Sequence, residues 1–144
     1  HFDDLEIASK AIVDGILLQG IEFDVVGGPT LGADALTIGI AGIQRCRWFF
    51  VRKEPKGRGT NKLIEGSPIG SGDRCLVIED AITTGGSLLK AIDAVEETGA
   101  KVVAVSTLVD RGEIARPLIE TRGIFYYPIA TYLDLGIEPV EPPS

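Results

Sequence analysis

Apolar positions along the chain follow two periods that alternate from one end to the other. Helical spacing predicts helices over residues 2–19, 31–43, 87–98 and 114–121. Short apolar runs predict strands over residues 23–27, 47–52, 75–78, 102–109 and 125–129. A return strand over 63–66 is expected to form a hairpin with the strand at 47–52. This alternation predicts a single α/β domain over 1–144, with a mostly parallel twisted sheet and helices on both faces.

Composition and charge narrow the possible functions. The chain has 144 residues, 44% of them hydrophobic, and no apolar run approaches the ~18 residues of a membrane span. The start shows no secretory pattern, so we expect a cytoplasmic location. A net charge of −7 and a pI near 4.7 argue against a nucleic-acid-binding surface, which would need a basic face.

Cysteine and histidine usage excludes some chemistry. Cys46 and Cys75 lack the spacing of metal ligands, and we expect them to stay reduced as small core residues. His1 is the only histidine of the chain. A Ser-His or Cys-His catalytic arrangement therefore has only a terminal residue to depend on.

Residues 74–87 are the most informative stretch. An apolar strand is predicted to end at Ile78, and two adjacent carboxylates follow it, Glu79 and Asp80. A small hydroxyl- and glycine-rich turn then leads into a helix, whose free amides and positive dipole end favour a phosphate. Ligands of open α/β sheets bind where strands end, so this stretch predicts a sugar-phosphate site. For a lone Gly-Gly turn, an ordinary loop with solvated acids would be the better interpretation.

A second strand-to-helix loop covers residues 27–34. Gly27, Gly28 and Gly32 allow a ligand to approach the backbone closely, and Thr30 adds a hydroxyl. From the residues alone, a plain Gly/Pro turn explains this loop about equally well.

Basic side chains are concentrated in residues 52–62 of an otherwise acidic chain. The members of this basic segment are Arg52, Lys53, Lys56, Arg58 and Lys62. A solvated loop tip is the usual explanation for such a run. Because Gly57 and Gly59 are expected to make the segment flexible, we interpret it instead as a lid hairpin that closes over an anion.

A charged pair, Asp110 and Arg111, stands where the apolar run 102–109 ends. The pair is expected at the same edge of the sheet as the other loops. From the residues alone, a ligand-contacting pair and a helix-capping acid beside a surface arginine have similar weight.

These motifs together resemble one family. Residues 77–87 resemble the phosphoribosyl diphosphate (PRPP) signature of type I phosphoribosyltransferases, in which two acids precede a Thr- and Gly-rich loop. Residues 27–34 are similar to the diphosphate loop of the orotate-specific members, and 52–58 to their catalytic lid. Arg58 stands where many members have histidine. The likeness extends over residues 23–136 and implies the type I phosphoribosyltransferase fold.

The resemblance also implies a role for each matched residue. Glu79 and Asp80 would hold the ribose hydroxyls, and Lys56 would stabilise charge on the leaving diphosphate. The implied PRPP-binding residues are Thr83, Thr84, Gly85, Gly86, Ser87, Gly28, Pro29, Thr30, Arg52, Lys53 and Arg58. Orotate would contact Thr84 and Arg111.

The implied reaction joins orotate to PRPP, with Mg²⁺ held mainly through PRPP rather than by direct protein ligands. The resemblance further implies a homodimer whose lid reaches the neighbouring site, and no nucleic-acid or membrane partner. Members of the family carry a base-covering segment before the first helix, of which only residues 1–4 could be a remnant. We therefore expect the 144-residue form to bind PRPP nearly normally but orotate weakly.

Other functions remain open at this point. One is a phosphoribosyltransferase for another base, such as a purine. Another is a non-catalytic regulator of the same fold that senses PRPP or a nucleotide, although the intact basic segment argues against it. A purely structural domain is the alternative that the residues favour least, because separate loops point to one chemistry.

Overall fold

The computed structural model describes residues 1–57 and 63–143. Its helices are α1 (Phe2–Leu17), α2 (Asp34–Gln44), α3 (Gly86–Glu97), α4 (Ala115–Thr121) and α5 (Tyr132–Leu135). Its strands are β1 (Val25–Pro29), β2 (Arg47–Val51), β3 (Ile64–Gly66), β4 (Arg74–Ile82), β5 (Lys101–Asp110) and β6 (Phe125–Thr131). Within these residues, no helix combines the length and apolarity that crossing a membrane requires.

The strands form one sheet in the order β3-β2-β1-β4-β5-β6. Strand β3 pairs antiparallel with β2, and the other neighbours pair parallel. The predicted mostly parallel sheet and the predicted hairpin are therefore confirmed. Parallel strands that are covered on both faces are mostly apolar, which explains the hydrophobic runs of the central strands.

Helices cover both faces of the sheet, as the alternation predicted. On one face, Ile12 and Ile16 of α1 and Ile40 of α2 pack on Leu76 and Ile78 of β4. On the other face, the buried side chains of α3 and α4 pack on Val77 and on Phe49. The fully buried Cys75 belongs to this second cluster, and both cysteines are free thiols.

The first helix ends slightly earlier than its periodicity predicts. It stops at Leu17, and a turn follows in which Gly20 has a φ of 73°. This left-handed conformation is open to glycine at little cost, so Gly20 reverses the chain toward β1.

The prediction that β4 ends at Ile78 was wrong. Glu79 pairs with Thr107 of β5, and the pairing continues to Ile82 opposite Asp110. The Thr107 hydroxyl also donates a hydrogen bond to the Asp80 carbonyl at 3.1 Å. The two acids consequently lie on a strand, where the sheet fixes their backbone, rather than in a loop.

Candidate functional site

The turn between β4 and α3 has the geometry of an anion site. Gly85 has a φ of 82°, and a Cβ there would lie 2.9 Å from the Ala115 Cβ, so only glycine fits. The N-cap residue of α3 is Gly85, which has no side chain to cap the helix. The Gly86 amide makes a long bond of 3.5 Å to Thr84 Oγ1, and the amides of a first helical turn have no partner inside the helix. Gly86 is exposed, and the nearest described atom to a Cβ at this position is Thr84 Oγ1 at 3.8 Å. An anion can therefore reach the backbone here.

The two acids beside this turn differ in environment. Glu79 is half-buried, and burial, with the neighbouring Asp80 charge, raises its pKa to about 7. A hydrogen bond with Ser87 works in the opposite direction on that pKa. Asp80 is exposed, and its Oδ1 accepts a hydrogen bond from the Ala81 amide at 2.8 Å. One carboxyl thus titrates near neutral pH next to an exposed one.

The loop after β1 lies directly against this acidic pair. A Cβ built on Gly32 would lie 2.4 Å from Asp80 Oδ1, and one on Gly28 would lie 2.0 Å from the Ile78 carbonyl oxygen. The Thr30 amide donates to the Val51 carbonyl at 3.0 Å, which ties the loop to the end of β2. Gly32 therefore permits a close approach of the loop to the Asp80 carboxylate, and Gly28 permits a close approach of β1 to the backbone of β4. The structure brings this loop and the acidic pair together, as the sequence predicted.

A cavity of about 350 Å³ connects three of the predicted segments. Its lining includes Pro29 at the end of β1, Arg52 and Lys53 from the start of the basic segment, and Gly86 and Ser87 from the start of α3. A larger cavity of about 480 Å³ lies between β3 and the C-terminal half of α3 and contains none of the predicted residues.

Lys90 also lines the smaller cavity, and the sequence analysis missed it. Its Nζ donates to the Lys53 carbonyl at 2.6 Å, which fastens α3 to the start of the basic segment. Its position one helical turn after Ser87 was the available signal, because both residues then lie on the same side of α3.

Lys56 of the basic segment does not line this cavity. Lys56 Nζ is 3.4 Å from Glu65 Oε1 on β3, and Arg52 binds the same carboxylate oxygen at 2.8 Å. Arg52, and secondarily Lys56, lower the pKa of Glu65. The structure does not bring Lys56 into the cavity. Arg58 and Lys62 lie outside the described residues.

Arg111 joins the site from the end of β5. Its guanidinium donates to Thr83 Oγ1 at 2.9 Å, and its backbone amide donates to the Ile82 carbonyl at 2.8 Å. The guanidinium therefore lies at the turn that follows β4, where Thr83 and Thr84 adjoin it in the chain. Arg111, predicted to contact the base, and Thr83, predicted to contact the phosphate, are thus neighbours in the fold.

Comparisons with known proteins agree with this architecture. The model of the phosphoribosyl transferase domain family matches residues 3–121. An orotate phosphoribosyltransferase from Pyrococcus abyssi (strain GE5 / Orsay) is 41% identical over 131 residues, which are 91% of this chain and 71% of that protein. One from Mycobacterium leprae (strain TN) is 45% identical over 123 residues, which are 84% of this chain and 68% of that protein.

Solved structures give the same result. The crystal structure of Mycobacterium tuberculosis H37Rv orotate phosphoribosyltransferase in complex with PRPP matches with a TM-score of 0.77 and 36% identity. The match covers 95% of this chain and 78% of that one. The family model and these identities show that the chain belongs to the phosphoribosyltransferases, in the branch of the orotate phosphoribosyltransferases.

Proposed function

We propose that this chain transfers the 5-phosphoribosyl group from PRPP to orotate, giving orotidine monophosphate and diphosphate. The bond from ribose C1 to the diphosphate oxygen breaks, and a bond from C1 to orotate N1 forms. The observation that carries the proposal is the close approach of Gly32 to Asp80, where a Cβ would lie 2.4 Å from Asp80 Oδ1, because it brings a candidate diphosphate loop to a candidate ribose site. Orotate is proposed as the acceptor base because relatives with the name orotate phosphoribosyltransferase are 41% and 45% identical to this chain.

In this proposal the turn after β4 binds the 5′-phosphate. Amides at the start of α3 donate to the phosphate oxygens, and the helix dipole adds to the attraction. Thr83, Thr84 and Ser87 contribute hydroxyl donors from the same turn. Glu79 and Asp80 accept hydrogen bonds from the ribose hydroxyls, and their negative charge stabilises the oxocarbenium character that develops at C1.

The leaving diphosphate lies in the cavity of about 350 Å³ beside Pro29. Gly28 and Thr30 bring the backbone of residues 27–34 to the diphosphate. Arg52, Lys53 and Lys90 supply positive charge from the cavity wall. Lys56 leaves Glu65 and reaches the diphosphate when the basic segment closes, so its charge acts on the leaving group in the transition state.

Mg²⁺ fits this donor set as a companion of PRPP. Among the described residues, no group of three or more His, Cys, Asp or Glu side chains could hold a metal ion by itself. Mg²⁺ commonly keeps several waters and binds substrate phosphates, so PRPP oxygens would provide most of its ligands. When bound, it neutralises charge on the diphosphate. The cytoplasmic location and the homodimer stay predictions.

The PRPP affinity should depend on pH through Glu79. The folded-state pKa of this carboxyl, about 7, lies above its ordinary value of 4.5. Burial of the acid thus lowers stability progressively as pH rises from about 4.5 to about 7, whereas the ribose hydroxyls require the ionised form. We expect PRPP affinity to rise with pH between 6 and 8, with a Glu79 contribution of up to about tenfold.

Calorimetric titration of PRPP at several pH values checks this prediction. PRPP has phosphate groups that titrate in the same range, so Glu79→Gln serves as the matched control, because it removes only the protein's share. The slope of affinity against pH should be shallower in Glu79→Gln than in the wild type. Equal slopes would assign the whole pH dependence to the ligand and remove Glu79 from the ribose site.

Arg111 holds the orotate carboxylate in this proposal, since a guanidinium offers paired N–H donors to a carboxylate. We expect Arg111→Ala to raise the orotate KM by about tenfold or more, as loss of a charged hydrogen bond does. The PRPP KM should change less. Arg122→Ala is the control, because Arg122 pairs with Asp93 on the surface. An unchanged orotate KM in Arg111→Ala would show that Arg111 does not bind the base.

A panel of bases separates this function from its alternatives. Diphosphate release from PRPP is measured with orotate, uracil, adenine and hypoxanthine in turn. Release with orotate alone supports the proposal, and release with a purine makes the chain a transferase for that base. PRPP binding without release in any reaction would favour a PRPP-sensing regulator.

A further inference from the structure

The buried carboxylate of Asp110 holds the backbone at the end of β5. Asp110 is 3% exposed, and its Oδ2 accepts a hydrogen bond from the Tyr126 hydroxyl at 2.6 Å. Its Oδ1 accepts one from the Gly112 amide at 3.1 Å. A buried carboxylate is costly unless donors satisfy it, so these two bonds fix the carboxylate and the turn around Arg111 together.

The Tyr126 side chain, which donates to Asp110, is itself well fixed. The ring is 4% exposed, and the Arg116 guanidinium lies 4.9 Å from its centroid. Burial and the hydrogen bond to Asp110 raise the pKa of Tyr126, so the hydroxyl stays protonated and remains a donor at neutral pH.

The C-terminal segment around Val140 also holds the turn at residues 110–112. The Val140 amide donates to the Arg111 carbonyl at 2.7 Å. A Cβ built on Gly112 would lie 2.5 Å from the Thr83 carbonyl oxygen and 3.2 Å from that of Val140. Residues 110–112 are therefore enclosed between the turn after β4 and the C-terminal segment, with little room to shift.

We propose that Asp110, Tyr126 and the Val140 amide are positioning groups for orotate recognition. They touch no substrate; they hold the backbone of residues 110–112 so that the Arg111 guanidinium stays beside Thr83. This inference rests on the proposed function, because it assigns the orotate carboxylate to Arg111. It makes orotate affinity depend on a hydroxyl that lies on another strand and on a backbone amide near residue 140.

Removal of the Tyr126 hydroxyl tests the buried half of the arrangement. We expect Tyr126→Phe to raise the orotate KM by about fivefold, with the PRPP KM and kcat nearly unchanged. Tyr127→Phe is a matched control: the same atom is removed at the next residue, whose ring lies on the opposite face of the sheet near Gly15. This control should leave both KM values unchanged.

Removal of the Val140 amide tests the exposed half without disturbing the core. Val140 is 40% exposed, so Val140→Pro deletes the donor to the Arg111 carbonyl but no buried side chain. We expect a rise of the orotate KM of the same order, about fivefold. If Tyr126→Phe lowers the melting temperature too far for kinetics, Val140→Pro decides alone. An unchanged orotate KM in the variants that fold would overturn the inference.

A double-mutant cycle distinguishes the inference from the proposed function. If Tyr126 acts through Arg111, Tyr126→Phe should have almost no further effect on the orotate KM in the Arg111→Ala background. Full additivity would mean that Tyr126 acts by another route, which overturns the inference and leaves the Arg111 assignment intact. No effect of Arg111→Ala itself would overturn the Arg111 assignment and this inference with it.

Discussion

Replacing Gly86 with valine is expected to abolish PRPP binding while the protein remains folded. A Cβ at this position meets no described atom closer than 3.8 Å and Gly86 is exposed, so we expect the unliganded protein to tolerate the larger side chain. Gly86 also lacks the left-handed conformation of Gly85, so valine brings no backbone strain of that kind. The added methyl groups instead occupy the space through which a phosphate would reach the amides of α3.

Calorimetric titration of PRPP, together with thermal unfolding, measures this effect. Gly42→Val is the matched control, because Gly42 is also a helical glycine and a Cβ built on it would meet no described atom within 4 Å. Both variants should unfold cooperatively near the wild-type temperature, and only Gly86→Val should lose PRPP. Wild-type PRPP affinity in a folded Gly86→Val protein would remove the phosphate site from this turn.

Lys56→Ala is expected to lower kcat by about 100-fold, as loss of a charge contact made in the transition state does. In this structure Lys56 Nζ lies 3.4 Å from Glu65 Oε1, and Arg52 shares that carboxylate. Because Arg52 remains to neutralise Glu65, Lys56 can move to the diphosphate without leaving the carboxylate unpaired. The PRPP dissociation constant should change much less than kcat.

Steady-state kinetics and direct PRPP titration separate the two effects. Lys10→Ala, which removes an exposed lysine of α1, is the control and should leave kcat unchanged. If Lys56→Ala weakened PRPP binding but preserved kcat at saturation, Lys56 would be a binding contact with no role in the transition state.

The sequence predicted the fold well where burial determines the pattern. Strand β5 is apolar from Val102 to Val109 apart from Ser106 and Thr107, because both of its faces are covered, so its place inside a parallel sheet could be predicted. The last part of β4 could not be predicted, because Glu79 and Asp80 interrupt the apolar run although the pairing with β5 continues to Ile82. Polar residues on a paired strand look like a loop in sequence.

Most contacts between segments that are distant in the chain could not be predicted from the sequence either. The predicted site residues at the carboxyl ends of β1 and β4 do meet, because parallel strands end at one edge of the sheet. Lys90 was missed, since only the fold brings it to the Lys53 carbonyl. The Val140 amide donates to the Arg111 carbonyl, although nothing in the Pro-rich sequence around Val140 indicates that bond. No local pattern encodes such a partner.

Identification of the reaction product tests the central claim most directly. The 144-residue chain is mixed with PRPP, Mg²⁺ and enough orotate to offset the weak orotate binding expected of this form, and the products are identified by mass while loss of orotate absorbance is followed. The account predicts one orotidine monophosphate and one diphosphate for each orotate consumed, and no product with Gly86→Val. Intact orotate in the presence of bound PRPP would contradict it.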